Sequence, residues 1–208
     1  MPGIDTISIN GFKSIASIED LKLGAINVII GPDGSGKSNF IHLKEDASCL
    51  FTTMVDYYGM PQEGEKAWPG RAEANRKDFP SKAVTVQDAL RADIGKDFDS
   101  TRFKPYVIMH EFEGLLFSDC NRFAEGIGQP TLAPQFQAIR KQFNTPEEIN
   151  DLPVTAPSKR VKALFPYYQK PLFGRLAVLK IGLNTIRAEC LHFRQWLEYL
   201  EGWPGKSG

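Results

Sequence analysis

A glycine-rich segment that directly follows a short apolar run constrains the fold of this chain more than any other feature. Residues 25–30 (Ala-Ile-Asn-Val-Ile-Ile) predict a buried strand, which glycine stops at Gly31. The segment Gly31-Pro-Asp-Gly-Ser-Gly-Lys-Ser38 comes next, and a helix is expected from Ser38 to about Lys44. A strand, a glycine-rich turn and a helix in direct succession favour an α/β fold with parallel strands.

The other apolar runs extend this prediction along the chain. Strands are expected over residues 4–12, 17–23, 50–58 and 103–109, and a loop over residues 59–80. Helices are expected over residues 83–94, 132–143 and 172–200, and the last of them is broken near Gly182. Residues 112–117 are expected to open a helix, and Thr145-Pro-Glu-Glu148 reads as the cap and acidic first turn of another. Continuous apolar strands separated by helices or long loops predict a mainly parallel, doubly wound sheet flanked by helices.

Composition restricts the environment of the chain. Its 208 residues carry 25 basic and 25 acidic side chains, so the chain as a whole is no bulk polyanion binder. Three distant cysteines argue against a disulfide framework, and Cys190 with His192 is interpreted as a packed helix end. No apolar run approaches the roughly 20 residues of a membrane span, so we expect a cytoplasmic protein with no membrane partner.

The glycine-rich segment satisfies the Walker A pattern G-x-x-x-x-G-K-[ST] in full. Its glycines let backbone N–H groups turn around an anion, and the following helix adds partial positive charge. Lys37 is expected to reach the β- and γ-phosphates of ATP, and the Ser38 hydroxyl to bind Mg²⁺. The expected nucleotide-binding residues are Gly31, Asp33, Gly34, Ser35, Gly36, Lys37, Ser38 and Asn39.

The first 41 or so residues, with Ile7-Ser-Ile-Asn-Gly-Phe-Lys-Ser-Ile and the run from Ile26 to Ile41, resemble the N-terminus of RecF, SMC and ABC-like AAA ATPases. That resemblance implies ATP binding coupled to DNA repair or phage defence. The chain is too short for the whole ATPase domain and has no signature helix. Two apolar runs imitate a Walker B strand, one ending at Asp56 and the other at Glu111.

From about residue 43 to 201 the chain resembles a different family, catalogued as domain of unknown function 4276, which implies a Toprim-like fold. The motifs are Phe51-Thr-Thr-Met-Val-Asp-Tyr-Tyr-Gly-Met-Pro61, Pro105 to Asp119, Ile149-Asn-Asp, Thr155-Ala-Pro-Ser-Lys-Arg160, Ile181-Gly-Leu, Cys190-Leu-His-Phe and Trp196-Leu. We therefore divide the chain into residues 1–42, a partial ATPase segment, and residues 43–203, a Toprim-like domain.

Carboxylates at predicted strand ends are the candidate catalytic and metal-binding residues. Toprim domains hold Mg²⁺ with such carboxylates at phosphodiester bonds, and Asp56, Glu111 and Glu113 stand where α/β sheets bind ligands. If this stretch is extended, Glu111 and Glu113 share one face. In the alternative, they start a helix, where negative charge is favourable. His110 is expected to be a core histidine.

A compact basic turn, Pro157-Ser-Lys-Arg160, has two interpretations. Its cations suit contact with phosphate, and they suit a solvated helix start equally well.

The resemblance breaks at the family's first acidic motif, Val-Glu-Gly-x-Thr-Glu, whose glutamate binds metal. The run Ile26–Lys37 occupies that place. Strand 25–30 is therefore expected to dock beside strand 50–58, with Lys37 near Asp56 where a glutamate normally stands. An ammonium there removes a ligand and repels a metal ion. The function expected is therefore nucleotide or nucleic-acid phosphate binding with impaired metal-dependent nuclease activity. A compact P-loop ATPase, or a non-catalytic partner of a separate ATPase subunit, remain as alternatives.

Overall fold

The computed structural model describes residues 6–12, 15–22, 26–30, 50–64, 67–94, 99–149 and 155–203. Its strands are β1 (Thr6–Phe12), β2 (Ile15–Lys22), β3 (Ile26–Ile30), β4 (Leu50–Asp56) and β5 (Phe103–Ile108). Its helices are α1 (Arg71–Ala74), α2 (Phe79–Ile94), α3 (Phe112–Leu116), α4 (Cys120–Gly126), α5 (Ala133–Arg140), α6 (Pro157–Leu164), α7 (Lys170–Ile181), α8 (Leu183–Glu189) and α9 (Leu191–Glu201).

The α/β class is confirmed, although the described residues are mostly helical and the sheets are small. β1 and β2 form an antiparallel pair, and β3, β4 and β5 form a three-stranded sheet with β4 in the middle. β3 runs parallel to β4, with Ile26 beside Leu50 and Ile30 beside Met54. The predicted docking of these two strands is confirmed, and both end on the same side of the sheet.

The chain divides into two compact units. The first contains the described residues up to Val55, Gly59–Val107 and those from Glu198 onward. α2 is joined to β5 of its sheet, because the Gln87 side chain donates a buried hydrogen bond of 3.0 Å to the carbonyl of Pro105. Thr52 Oγ1 in β4 donates to the carbonyl of Lys104 at 2.6 Å, so side chains reinforce the sheet.

The second unit comprises Asp56–Tyr58 and Ile108–Leu197 and is helical. Three fully or almost fully buried rings, Phe117, Phe123 and Phe136, form its aromatic centre, with Phe123 stacked on Phe136 at a centroid distance of 4.5 Å. α7 packs on α4, where a side chain built on Gly126 would meet the Ala177 backbone at 2.8 Å. Glycine at this position therefore sets the helix spacing.

The Gly126→Ala variant is expected to lower the free energy of unfolding by about 1 kcal/mol, because the added methyl group pushes α4 from the α7 backbone. Gly174→Ala in α7 is the matched control. Its methyl group would meet only ordinary contacts, at 3.6 Å from the Tyr168 hydroxyl and 3.7 Å from Phe112. We expect this control to stabilise the protein by about 0.5–1 kcal/mol, since alanine favours a helix interior. Urea unfolding measures both; equal effects of the two substitutions would contradict the close approach.

Three sequence predictions need correction. The 59–80 region is not wholly loop, because α1 lies within it and α2 begins at Phe79. The helix expected over 132–143 is shorter, with a 3-10 turn at Pro130–Leu132 and α5 ending at Arg140. Thr145–Glu148 begins no α-helix; it forms only the 3-10 turn Pro146–Glu148. The tail is helical and broken at Gly182 as predicted, with a second break at Cys190.

No helix in the described ranges is long and apolar enough to cross a membrane.

Candidate functional site

The site lies in the second unit, where the chain passes from Ile108 into α3. β5 ends at Ile108, and Glu111 keeps an extended backbone with φ −131° and ψ 156° at the N-cap position of α3. Glu113 lies in the first helical turn and is buried. The two carboxylates are therefore not alternate residues of one strand, and the helix-start interpretation is correct for Glu113.

Lys170, the first residue of α7, brings the two carboxylates together. Its Nζ donates to Glu111 Oε1 at 2.6 Å and lies 3.6 Å from Glu113 Oε2. The Glu113 side chain is only 4% exposed, whereas the Lys170 side chain is 43% exposed. A single ammonium group thus compensates two carboxylates, one of which has little contact with water.

A second helix start also holds Glu111. The backbone N–H of Ser158 donates to Glu111 Oε2 at 2.8 Å, in the first turn of α6. The positive end of that helix favours the carboxylate as well. Both oxygens of Glu111 are therefore engaged, one by Ser158 and one by Lys170.

The surroundings of the two glutamates shift their pKa values in opposite directions. Burial alone would raise the pKa of Glu111, but hydrogen bonds from Lys170 and Ser158 outweigh it and lower that pKa below its ordinary value. Burial dominates at Glu113 and raises its pKa, with the Glu111 charge adding to the effect and the Lys170 charge opposing it. Burial would lower the pKa of Lys170, but Glu111, Glu113 and Asp56 together raise it.

Asp56 belongs to the same electrostatic group. It ends β4, is exposed, and its negative charge contributes to the raised pKa of Lys170. The three carboxylates predicted from sequence are therefore in one unit; Lys170 contacts Glu111 and Glu113, and the charge of Asp56 also acts on it. Among the described residues, no group of three or more acidic, histidine or cysteine side chains is arranged to hold a metal ion. The predicted binding of Mg²⁺ by Asp56, Glu111 and Glu113 stays a prediction.

Tyr168 completes the surroundings of the glutamates. It is 2% exposed, and its hydroxyl has no hydrogen-bond partner within the described part of the chain. Burial raises the pKa of this hydroxyl, and so do the charges of Glu113 and Glu111. A buried neutral hydroxyl beside carboxylates is able to donate one hydrogen bond to a ligand.

His110, which directly precedes Glu111 in the chain, is buried, as expected for a core histidine. Its ring stacks on Tyr58 with centroids 5.5 Å apart and planes inclined by 15°. Tyr58 is 39% exposed, so it presents an aromatic surface next to Asp56.

The residues of the Walker A pattern lie outside the described residues, as does the proposed boundary at residues 42 and 43. This covers Gly31, Asp33, Gly34, Ser35, Gly36, Lys37, Ser38 and Asn39. Their roles in binding ATP and Mg²⁺ stay predictions.

Sequence reasoning missed Lys170, Ser158 and Tyr168. Pro157–Arg160 was noted as a basic turn, yet the group used from it is the Ser158 amide, while Arg160 donates to the Thr155 carbonyl and lies over the Phe143 ring. The turn is a helix start, since it begins α6. Lys170 could not be found from a local pattern, because Glu111 is 59 residues away in the chain.

Cys190 is a buried thiol between α8 and α9. Burial raises its pKa to about 12, despite a contact with Ser118 Oγ at 3.3 Å. The interpretation of Cys190 and His192 as a packed helix end fits this geometry.

Comparison with protein families gives a match over most of the chain. The model described as Domain of unknown function (DUF4276) matches residues 35–201. The chain belongs to this family. Searches of curated proteins and of solved structures found no match.

The family match agrees with the resemblance seen from about residue 43 and extends it by eight residues, to Ser35 within the glycine-rich segment. It covers all the residues of the carboxylate group, from Asp56 to Lys170. The Walker A resemblance and the Toprim-like arrangement stay predictions.

Proposed function

We propose that this DUF4276 protein is a Toprim-like protein that binds the phosphates of nucleotides or nucleic acids in an ATPase-coupled repair or defence system, with impaired metal-dependent nuclease activity. One observation carries the proposal: Glu111 and Glu113 are held at the end of β5 by a single lysine, with Asp56 in the same electrostatic group. Carboxylates at strand ends are the means by which an α/β fold approaches phosphodiesters through Mg²⁺.

The parallel pairing of β3 and β4 supports the nucleotide-binding part. Ile30, the last residue of β3, lies beside Met54, two residues before Asp56. The Walker A pattern begins at the next residue, Gly31, and so starts at the strand end where α/β folds bind ligands.

Lys170 supports the idea of impaired catalysis. Its ammonium group occupies the carboxylate oxygens that a divalent cation would need, and two cations cannot share them without strong repulsion. A Mg²⁺ ion must displace Lys170 before Glu111 and Glu113 both become ligands. We therefore expect weak Mg²⁺ binding and slow or absent strand cleavage.

Of the alternatives, the non-catalytic partner subunit is favoured by a specific observation. α7 exposes three leucines, Leu172, Leu176 and Leu179, and exposed apolar surface of this kind suits contact with another protein. Glu111 as a Walker B acid is less favoured, because its oxygens are engaged by Ser158 and Lys170.

Calorimetric titration with ATP and Mg²⁺ tests the proposal. We expect Lys37→Ala to weaken ATP binding at least about tenfold, because the lysine contacts the terminal phosphates. Asp56→Ala should leave ATP affinity unchanged and reduce the binding of Mg²⁺ alone. The exposed Lys162 gives a matched control, and Lys162→Ala should change neither binding isotherm.

A plasmid-nicking assay in the presence of Mg²⁺ tests the proposal that nuclease activity is impaired. We expect little or no nicking by the unmodified chain. Clean turnover that Asp56→Ala abolishes would overturn the claim of impairment. A folded chain that binds neither ATP nor DNA would overturn the phosphate-binding proposal itself.

A further inference from the structure

Helix α7 has two opposite faces, and both are apolar. Gly174, Ala177 and Ile181 are buried on the inner face, which also carries Lys170. On the outer face, about half a turn away at 100° per residue, Leu172, Leu176 and Leu179 are 52%, 42% and 70% exposed.

The outer face lacks the polar side chains of an ordinary surface helix. Spacings of four and three residues place the leucines in one row, the pattern by which a helix contacts another helix. Leu183 (50% exposed) and Tyr167 (80% exposed) add large apolar groups just beyond the two ends of the helix. A contiguous row of this kind marks an interaction surface.

Basic side chains flank the leucine row on both sides. Helical geometry places Arg175 on one side and Lys180 on the other, and α7 contains no acidic residue. Lys180 lies 3.1 Å from Glu125, with both side chains about half exposed. Arg175, among the described residues, makes no hydrogen bond or ion pair, so its charge is available to a partner.

We propose that the outer face of α7, defined as Leu172, Leu176 and Leu179 with Arg175 and Lys180, docks an amphipathic helix of a partner protein that carries an apolar row flanked by acidic residues. The leucines supply the contact area. The charge of Arg175 selects an acidic partner, and Lys180, which already pairs with Glu125, contributes less to that selection.

Two other occupants suit this face less well. A second copy of the chain would bring two basic flanks together across a symmetric contact, which is unfavourable. An anionic membrane surface would attract a helix with only two cations weakly, since membrane-binding segments usually carry a larger basic cluster. The leucine row also contains no tryptophan or phenylalanine, which interfacial helices commonly use.

Fluorescence anisotropy with two designed peptides tests the proposal on the full chain. Each labelled peptide has about 20 residues, a length that sustains a helix, with leucines in one row. One peptide has glutamates beside the row and its twin has lysines. We expect the glutamate peptide to bind at least about tenfold more tightly than its twin. Leu176→Asp or Leu179→Asp should abolish this binding. Leu191→Asp, at a leucine that is 48% exposed in α9, is the matched control and should leave it unchanged.

Charge reversal makes the test specific. Arg175→Glu should weaken binding of the glutamate peptide and strengthen binding of the lysine peptide, with circular dichroism confirming the fold. Equal binding of both peptides, or no binding up to about 1 mM, would overturn the proposal. Two further results would also overturn it. Self-association in sedimentation velocity that Leu176→Asp removes would mean that a second copy of the chain occupies this face. Flotation with phosphatidylserine vesicles that Leu176→Asp removes would mean that a membrane occupies it.

Discussion

Lys170→Met is expected to lower the free energy of unfolding by about 2 kcal/mol at pH 7. Removing one partner of a buried ion pair costs roughly 3–5 kcal/mol, and we reduce this figure because solvent screens a partly exposed ammonium group. The methionine keeps the apolar stem but leaves Glu111 and Glu113 facing each other without a cation. Urea unfolding in the presence of EDTA measures the change without a contribution from metal ions.

The pH dependence distinguishes lost charge from lost packing. In the native protein the lowered pKa of Glu111 gives stability above its unfolded pKa that is lost as pH falls through the folded value. The raised pKa of Glu113 acts in the opposite direction, and costs stability as pH rises through its folded value. Loss of the Lys170 charge raises the pKa of both carboxyl groups, so the deficit of the variant should shrink between pH 7 and pH 4.5.

Lys180→Met is the matched control for this substitution. It removes a lysine from the same helix, but the ion pair with Glu125 is about half exposed on both sides. We expect a change within about 0.5 kcal/mol at both pH values. A Lys170→Met deficit that is equal at pH 4.5 and pH 7 would mean that Lys170 contributes packing alone.

The same variant bears on metal binding. If Lys170 competes with Mg²⁺ for the glutamate oxygens, Lys170→Met should bind Mg²⁺ at least about tenfold more tightly at pH 7. Titration calorimetry with Mg²⁺ alone measures this. An unchanged affinity in a folded variant would show that Glu111 and Glu113 do not form the metal site.

The sequence predicted the strands and long helices because their side chains carry a local signal. Continuous apolar runs identify β4 and β5, and Gly182, with φ 85°, ends α7 where the break was expected. The parallel pairing of β3 with β4 followed from the same runs. Local patterns were sufficient to predict these strands and this helix end, because both depend mainly on residues that are neighbours in the chain.

The site was only partly predictable because its decisive contacts join distant residues. Asp56, Glu111 and Glu113 were identified from strand ends, but Lys170 is 59 residues from Glu111 and Ser158 is 47 residues from it. Which lysine reaches a carboxylate depends on the packing of α7 and α6 beside α3, and hydrophobic periodicity does not specify that geometry.

Glu147 is a second residue whose contacts could not be predicted from local sequence, because its charge stabilises a different helix from the one expected. It was expected to favour a helix beginning at Pro146, but only a 3-10 turn forms there. Its two carboxylate oxygens accept hydrogen bonds of 2.9 Å from the backbone N–H groups of His192 and Phe193, in the first turn of α9. Glu147 therefore caps a helix that begins 44 residues later in the chain, and no local sequence pattern indicates this.

Glu147→Ala is accordingly expected to lower the free energy of unfolding by about 2 kcal/mol, because two N–H groups lose a charged acceptor at a helix start. Glu147→Gln should cost about half as much, since an amide offers one oxygen without the charge. The neighbouring Glu148 is the control, because it accepts one local hydrogen bond, from Asn144, at an exposed position. Glu148→Ala should cost less than about 1 kcal/mol. Equal losses for Glu147→Ala and Glu148→Ala in urea unfolding would mean that the cap on α9 contributes nothing beyond a surface contact.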